Sequence, residues 1–286
     1  MLNIIKKITP WWFKISIKLI LSRFPIPYIF WSKINLFRHG QMDNSRYAFD
    51  VFTNHIQQNN RSISGMTILE IGPGDSLSSG VIAFYYGAKS ILINPTKLIF
   101  DPIKNFNNLK IFLEKKEFEI KDSPKDLEDL CETHNIDYFF EGLKSLKEIP
   151  SNSVDIIFSN AVLEHIFKDE FEETINELKR IMKKDGFMSH QVDFKDHLEG
   201  SLNNLRFSNL VWESYLFRNS GFYTNRIRFY EMVSIFENKG FEVQILDLKK
   251  WDILPLNLKK ISKQFRELKH DDLLTSGAKL KVKFSE

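Results

Sequence analysis

The sequence predicts an α/β fold in which one doubly wound, mostly parallel sheet of seven strands carries helices on both faces. Three observations support this. From Thr67 onward, short β-rich runs alternate with helical periods, as a parallel sheet with crossover helices requires. The stretch LEIGPGDS, Leu69 to Ser76, ends an apolar run on an acid, turns through two glycines and opens a helix. The chain of 286 residues, 43% of them hydrophobic, suits one large core with appended elements.

The first element is a helix capped by Thr9 with Pro10 at its first position and stopped by Pro25 and Pro27. Lys7, Lys14 and Lys18 fall on one stripe beside a wide apolar face that includes Trp11, Trp12, Phe13, Ile15, Ile17, Leu19, Ile20 and Leu21. The strands follow at Thr67–Ile71, Ser90–Asn94, Ile136–Phe140, Val154–Ser159, Gly186–Val192, Phe241–Leu248 and Ala278–Phe284. The last alternates Ala278, Leu280, Val282 and Phe284 with lysines, a period of two.

Helical stripes lie between them. Leu77, Val81, Phe84 and Tyr85 precede Gly87, and Phe171, Ile175, Leu178 and Met182 precede Gly186. Met232, Ile235 and Phe236 precede Gly240, and Leu258, Ile261, Phe265 and Leu268 give a further stripe. Two stretches exceed the minimal alternation. Residues 97–135 are charged and read as a solvated helical insertion; residues 196–228, rich in aromatics and Asn, follow a strand end and are placed to cover a site.

The formal charge of +3 is uneven. Lys6, Lys7, Lys14, Lys18, Arg23, Lys33 and Arg38 all precede the first acid, Asp43, so the rest of the chain is net acidic. Basic residues gathered in one arm argue against a nucleic-acid-binding face. Lys14 and Lys18 also interrupt the apolar run well short of the roughly 20 residues a membrane span needs, and no small-residue cleavage site follows. The single Cys131 forms no internal disulfide and suits a reducing cytoplasm.

Gly72 and Gly74 let the turn after the first strand tighten and let its backbone approach a ligand. The dinucleotide pattern wants a third glycine where this chain has Leu77, and a phosphate-binding P-loop wants Gly-Lys followed by Ser or Thr, which is absent. The turn with its acid Glu70 resembles the first motif of the class I S-adenosylmethionine-dependent methyltransferases, Ser76 replacing a third glycine. SVDIIFSNAVLEHI, Ser153 to Ile166, resembles their fourth strand and following loop with its Leu-Glu-His signature, and ELKRIMKKDGFMSH, Glu177 to His190, their next helix and fifth strand. Order and spacing agree across Thr67 to Val192.

The resemblance implies a Rossmann-like sheet with an antiparallel last strand, a basic helical extension over residues 1–60, and a methyltransferase domain over 61–286 with insertions at 97–135 and 196–228. It implies that Glu70, Gly72, Gly74 and Asp75 surround the methionine part of S-adenosyl-L-methionine, that Asn94 lies at the ribose, that Glu141, Gly142 and Leu143 lie near the adenine, and that Asn160 lies under the sulfonium. Asn94 stands where the family usually has an acid, so an uncharged carbonyl replaces a carboxylate at the ribose, at a cost of order 1 kcal/mol. On that reading, Asn94→Asp would tighten binding.

Methyl transfer needs chiefly alignment of acceptor and methyl, and an oxygen or nitrogen acceptor also calls for a base. His165, His190 and Asp193 are the candidates, with helix packing and loop hydrogen bonding as their structural alternatives. His190, Asp193, Asp196 and His197 have metal-ligand chemistry, but alternation along a strand disfavours a four-ligand cluster, and no metal is expected. Trp212, Tyr215, Phe217, Phe222, Tyr223 and Tyr230, with Arg206, Arg226 and Arg228, are candidate walls for an aromatic, glycosidic or anionic acceptor; a core role is the alternative.

The expected function is therefore methylation of a small-molecule, glycan or lipid-linked acceptor on oxygen or nitrogen. Residues 1–40 either touch a membrane surface from the cytoplasmic side or pack over the cofactor site through Trp11, Trp12, Phe30 and Trp31. The competing readings are an inactive, membrane-associated binding protein that keeps the fold, and a nicotinamide-dependent oxidoreductase.

Overall fold

The computed structural model describes residues 10–21, 41–59 and 61–285. The arm's Phe30, Trp31 and most of its basic residues lie outside these. Seven strands, β1 (Thr67–Ile71), β2 (Lys89–Ile93), β3 (Ile136–Phe139), β4 (Val154–Asn160), β5 (Met182–Asp193), β6 (Phe241–Lys250) and β7 (Thr275–Phe284), form one sheet in the order β3-β2-β1-β4-β5-β7-β6. All run parallel except β7, which is antiparallel to both β5 and β6. The order reverses between β1 and β4, so the carboxyl ends of these two strands border the crevice where ligands of such sheets bind.

Helices α1 (Trp11–Leu21), α2 (Ser45–Ile56), α3 (Ser78–Tyr85), α4 (Pro102–Glu114), α5 (Leu127–Thr133), α6 (Leu143–Glu148), α7 (Phe171–Ile181), α8 (Asn209–Trp212), α9 (Tyr215–Arg218), α10 (Phe229–Asn238) and α11 (His270–Leu274) surround it. One face of the sheet packs α6, α7 and α10 through Leu146, Phe171, Ile175, Leu178, Met232 and Phe236. The other packs α2 to α5 through Phe52, Val81, Ile82, Phe106, Leu109 and Leu130. Strand alternation sends Leu69 and Ile157 to the first face and Ile68, Ile156 and Phe158 to the second.

Several expectations change. Residues 97–135 are helical, but Phe106, Leu109, Leu113, Ile120 and Leu130 are buried in the second core, so the segment is a working layer of the sandwich as well as a solvated surface. β5 starts at Met182 rather than Gly186, with an irregular register between Val154 and Ile156 on β4. Gly186 permits this approach, since a Cβ there would lie 2.7 Å from the Asp155 carbonyl oxygen. The stripe Leu258–Leu268 is not one helix but two short 3-10 turns, Leu258–Lys260 and Lys263–Phe265. Ser262 N–H between them donates to the Leu205 carbonyl, while Ile261 and Phe265 are buried beside Leu202 and Leu205.

Residues 196–228 form a small structure of their own. Trp212, Phe217, Phe222 and Tyr223 make its core, and α1 docks on it through Ile15, Trp11 and Leu19, with Trp11 edge-on to Phe207 and Lys14 bridging to Glu199 at 3.1 Å. No helix among the described residues is long and apolar enough to cross a membrane.

Candidate active site

The crevice is assembled around the turn after β1. Gly72 and Gly74 both take φ of 72°, a left-handed backbone that favours glycine. At Gly72 there is no room either: a Cβ would lie 2.5 Å from Val162 Cγ2 in the loop after β4. The space beside Gly72 is thus filled by Val162, and the glycine is required by backbone and neighbour together.

Asn94, just past β2, braces this turn. Its side-chain nitrogen donates to the Gly74 carbonyl at 2.8 Å and to the Tyr138 hydroxyl at 3.3 Å, and its backbone carbonyl accepts from Gly142 N–H at 3.0 Å. Three strand ends are tied together through one buried side chain. The residue expected at the ribose is thus also a structural brace: its side-chain nitrogen is committed, and its side-chain oxygen is the atom that would accept from a sugar hydroxyl. Gly142 again has a left-handed φ, 54°, in the turn that starts α6. Leu143 packs on the first core, while Glu141 is exposed and paired with Lys144.

Glu70 lies under the turn rather than in it. It is 2% exposed, accepts from the Ser79 hydroxyl near the start of α3, and burial pushes its carboxyl up to about 8 despite that hydrogen bond. At neutral pH it is largely uncharged, so it supports the loop from below. Asp75 sits within the turn itself, between Gly74 and the start of α3.

Asn160 ends β4 level with the glycine turn, because Ile71 pairs with Ser159. Its amide donates to the Tyr47 hydroxyl on α2 at 3.0 Å, and it also bonds His55. His55 Nδ1 lies 2.7 Å from Ser189 Oγ and its ring stacks on Phe158, with centroids 5.0 Å apart. Burial holds this imidazole down at about 3, so it is neutral, and the chain Ser189, His55, Asn160, Tyr47 fixes the orientation of Asn160.

His165 lies in a 3-10 turn, Leu163–His165, with Nδ1 2.9 Å from the Tyr223 carbonyl. A carbonyl only accepts, so Nδ1 carries the proton and Nε2 is the basic nitrogen, the tautomer a general base needs. The ring stacks on His197 at 4.7 Å. His190 goes elsewhere: it is fully buried on the first face, bonded to Ser159 Oγ at 2.8 Å and stacked on Phe236 of α10, and burial holds it down at about 3. Alternation along β5 puts it on the face opposite Ser189, which bonds His55. Asp193 is half-buried, bonded to Lys195 N–H and 3.4 Å from Lys195 Nζ, and its own N–H donates to Glu164. His190 and Asp193 are not brought together as a pair.

Asp196 accepts from Leu198, Glu199 and Asn203 N–H groups and shapes its own loop, so the four residues suggested for a metal do not converge. A different set, Glu164, His165 and His197, brings one donor atom each to within 4.8 Å of one another. Burial pushes Glu164 up to about 8, so its charge is largely absent at neutral pH.

The aromatic and arginine walls are mostly core. Trp212 Nε1 donates to the Thr224 carbonyl, and Arg226 lies between the rings of Trp212 and Phe265 while bonding the Phe207 carbonyl and Asn209. Arg228 is fully buried, donates to the carbonyls of Phe194, Asp272 and Thr275, and burial pulls it down to about 10. Arg206 bonds Asn203 and lies over Trp11. Tyr230 bonds Asp271 of α11. Tyr215 and Tyr230 of this group are exposed, Tyr215 the more so at 78%.

The sequence reading missed a pocket of about 240 Å³ beside Asn160, lined by Val51, Asn54, His55, Gln191, Asp247 and Lys279. Val51 and His55 had a local signal, since they share one helical face with Ala48 and Phe52. Gln191, Asp247 and Lys279 converge from β5, β6 and β7, which no local pattern connects.

Residues 116–189 match the family model described as a methyltransferase domain. That match spans β3, β4, most of β5 and the Asn160–His165 loop, while the glycine turn precedes it. The solved structures similar to this chain include YcgJ from Bacillus subtilis, at 15% identity over 82% of this chain and 95% of that one, with a TM-score of 0.43. Phosphoethanolamine N-methyltransferase 2 from Haemonchus contortus, in complex with S-adenosyl-L-methionine, is 13% identical over 85% of this chain and 57% of that one, with a TM-score of 0.42. The [4+2]-cyclase SpnF is 12% identical over 85% and 81%, with a TM-score of 0.43. No curated protein sequence matches the chain. The strand order and the match at 116–189 together give a Rossmann-like methyltransferase fold.

Proposed function

We propose that the protein transfers a methyl group from S-adenosyl-L-methionine to an oxygen or nitrogen of a small-molecule, glycan or lipid-linked acceptor. The observation that carries this reading is the left-handed Gly72–Gly74 turn at the sheet's switch point, braced by Asn94 and level with Asn160. These residues fit the cofactor. The turn from Gly72 to Asp75 would hold the methionine end, the turn at Glu141–Leu143 the adenine, and Asn160 the region between. Bound there, the cofactor supplies an electrophilic methyl group.

What the chain itself contributes is alignment and proton handling. Asn160, held by Tyr47 and His55, gives the crevice a fixed polar wall. His165 in its Nδ1-protonated form takes a proton from a hydroxyl or ammonium acceptor at Nε2, so His165→Ala lowers turnover far more than cofactor affinity. Calorimetry with S-adenosylhomocysteine tests the reading; absence of binding removes it.

One observation favours a second reading, an inactive protein that keeps the fold. The residue at the ribose position is the brace Asn94 and carries no charge. Binding of S-adenosylhomocysteine and exchange of labelled methyl groups separate the two.

The arm adds a proposed partner, a membrane surface. α1 turns Trp11, Ile15 and Leu19 inward and leaves Trp12, Phe13, Ile17 and Ile20 exposed, and α8 and α9 expose Leu210, Val211, Tyr215 and Leu216 on the same small structure. Exposed apolar residues together with an arm of seven cations and no acid suit anionic headgroups.

A further inference from the structure

We infer that the pocket beside Asn160 is the acceptor subsite and that it takes a neutral, hydroxyl-rich molecule about the size of one sugar ring. The inference rests on the methyl-transfer reading. The pocket lies at the carboxyl ends of β4, β5 and β6: Asn160 and Gln191 are partners across the β4–β5 ladder, Gln191 pairs with Lys279 on β7, and Lys279 pairs with Asp247 on β6. Helix α2 roofs it with Val51, Asn54 and His55. Because Asn160 is also level with the glycine turn, an occupant touching Asn160 is next to the crevice where the methyl donor would lie.

The lining selects the chemistry. The amide nitrogens of Asn160 and Gln191 are committed to the Tyr47 hydroxyl and the Ala278 carbonyl, so these two residues offer acceptor oxygens, while Asn54, whose side-chain oxygen takes the Gln57 amide, offers a donor; a hydroxyl answers both. Asp247 and Lys279 balance in charge, and the Lys279 ammonium is already anchored on the Asn54 carbonyl at 2.8 Å. An ion of either sign would meet one attracting and one repelling charge, while an apolar ligand would cover the remaining amide oxygens and the Asn54 nitrogen without giving them a partner. A volume of about 240 Å³ is room enough for one sugar ring. His55, bonded through Nδ1 to Ser189 and stacked on Phe158, is a wall of the pocket and not the base.

The test is saturation-transfer NMR on the full chain, with S-adenosylhomocysteine present and absent. The probes are methyl α-D-glucopyranoside, D-galactose, L-rhamnose and N-acetyl-D-glucosamine, with inorganic phosphate and L-lysine as charged controls. Transfer to at least one sugar is expected, falling at least fivefold in Gln191→Leu and in Asp247→Leu, with the thermal shift given by S-adenosylhomocysteine unchanged in both variants. The inference is overturned if no sugar receives transfer, if the signal persists in both variants, or if a charged control outcompetes the sugars. Loss of the S-adenosylhomocysteine shift in the wild type would instead sink the methyl-transfer reading, and the sugar signals in cofactor-free protein would still report on the pocket.

Discussion

Gly72 shows how one residue answers to two constraints. A side chain there costs about 1–2 kcal/mol for the left-handed backbone and about 1–3 kcal/mol for displacing Val162. Gly72→Ala is therefore expected to lower unfolding stability by their sum, and adding Val162→Ala is expected to recover only the packing part. Full recovery in the double variant, measured by urea unfolding, would show that the backbone carries no strain. Asn94 adds a bracing role to the ribose position expected of it. Asn94→Asp gains a charge but loses the donor to the Gly74 carbonyl and sets two acceptors together, so it is expected to cost about 1–3 kcal/mol of stability and not to tighten S-adenosylhomocysteine. Tighter binding at unchanged stability would show that the ribose contact outweighs the brace.

At the scale of elements, what could be read in the sequence was what depends on local period and turn chemistry. The strand at Val154–Ser159 and the helix stripe of Phe171, Ile175 and Leu178 are set by their own alternation, and both stand within a residue or two of where they were expected. The Leu258–Phe265 stripe has helical spacing too, yet Ser262 bonds Leu205 from another segment and splits it into turns. His190 and His55 show the same limit at the site: alternation on β5 decides which face each neighbour serves, and only the packed sheet reveals which face is the crevice. α1 carries its own prediction. The full chain is expected to co-sediment with anionic vesicles more than with neutral ones, less so at high salt, and Trp12→Ser with Ile20→Ser is expected to reduce retention several-fold without loss of fold. Equal retention on both lipids would leave α1 with its packing role alone.

At the scale of the molecule, buried titratable groups on both faces of the sheet shape stability against pH. Glu70 and Glu164 rise from 4.5 to about 8, so their contribution is complete below about 4.5 and is lost as pH climbs to about 8. His55 and His190 fall from 6.5 to about 3, so theirs is complete above about 6.5 and is lost as pH drops to about 3. Two groups oppose two between about 4.5 and 6.5, which predicts a plateau of stability there and decline on both sides. Glu70→Gln is expected to flatten the alkaline limb in urea unfolding; an unchanged limb would mean the carboxyl is charged in the folded protein.

The central claim, that the braced glycine turn holds S-adenosyl-L-methionine, is tested most directly by titrating the full chain calorimetrically with S-adenosylhomocysteine and, separately, with NAD. The account predicts saturable binding of S-adenosylhomocysteine in the micromolar to submillimolar range, about −8 to −5 kcal/mol, and no heat from NAD. No heat and no thermal shift at saturating S-adenosylhomocysteine, or preference for NAD, would contradict it.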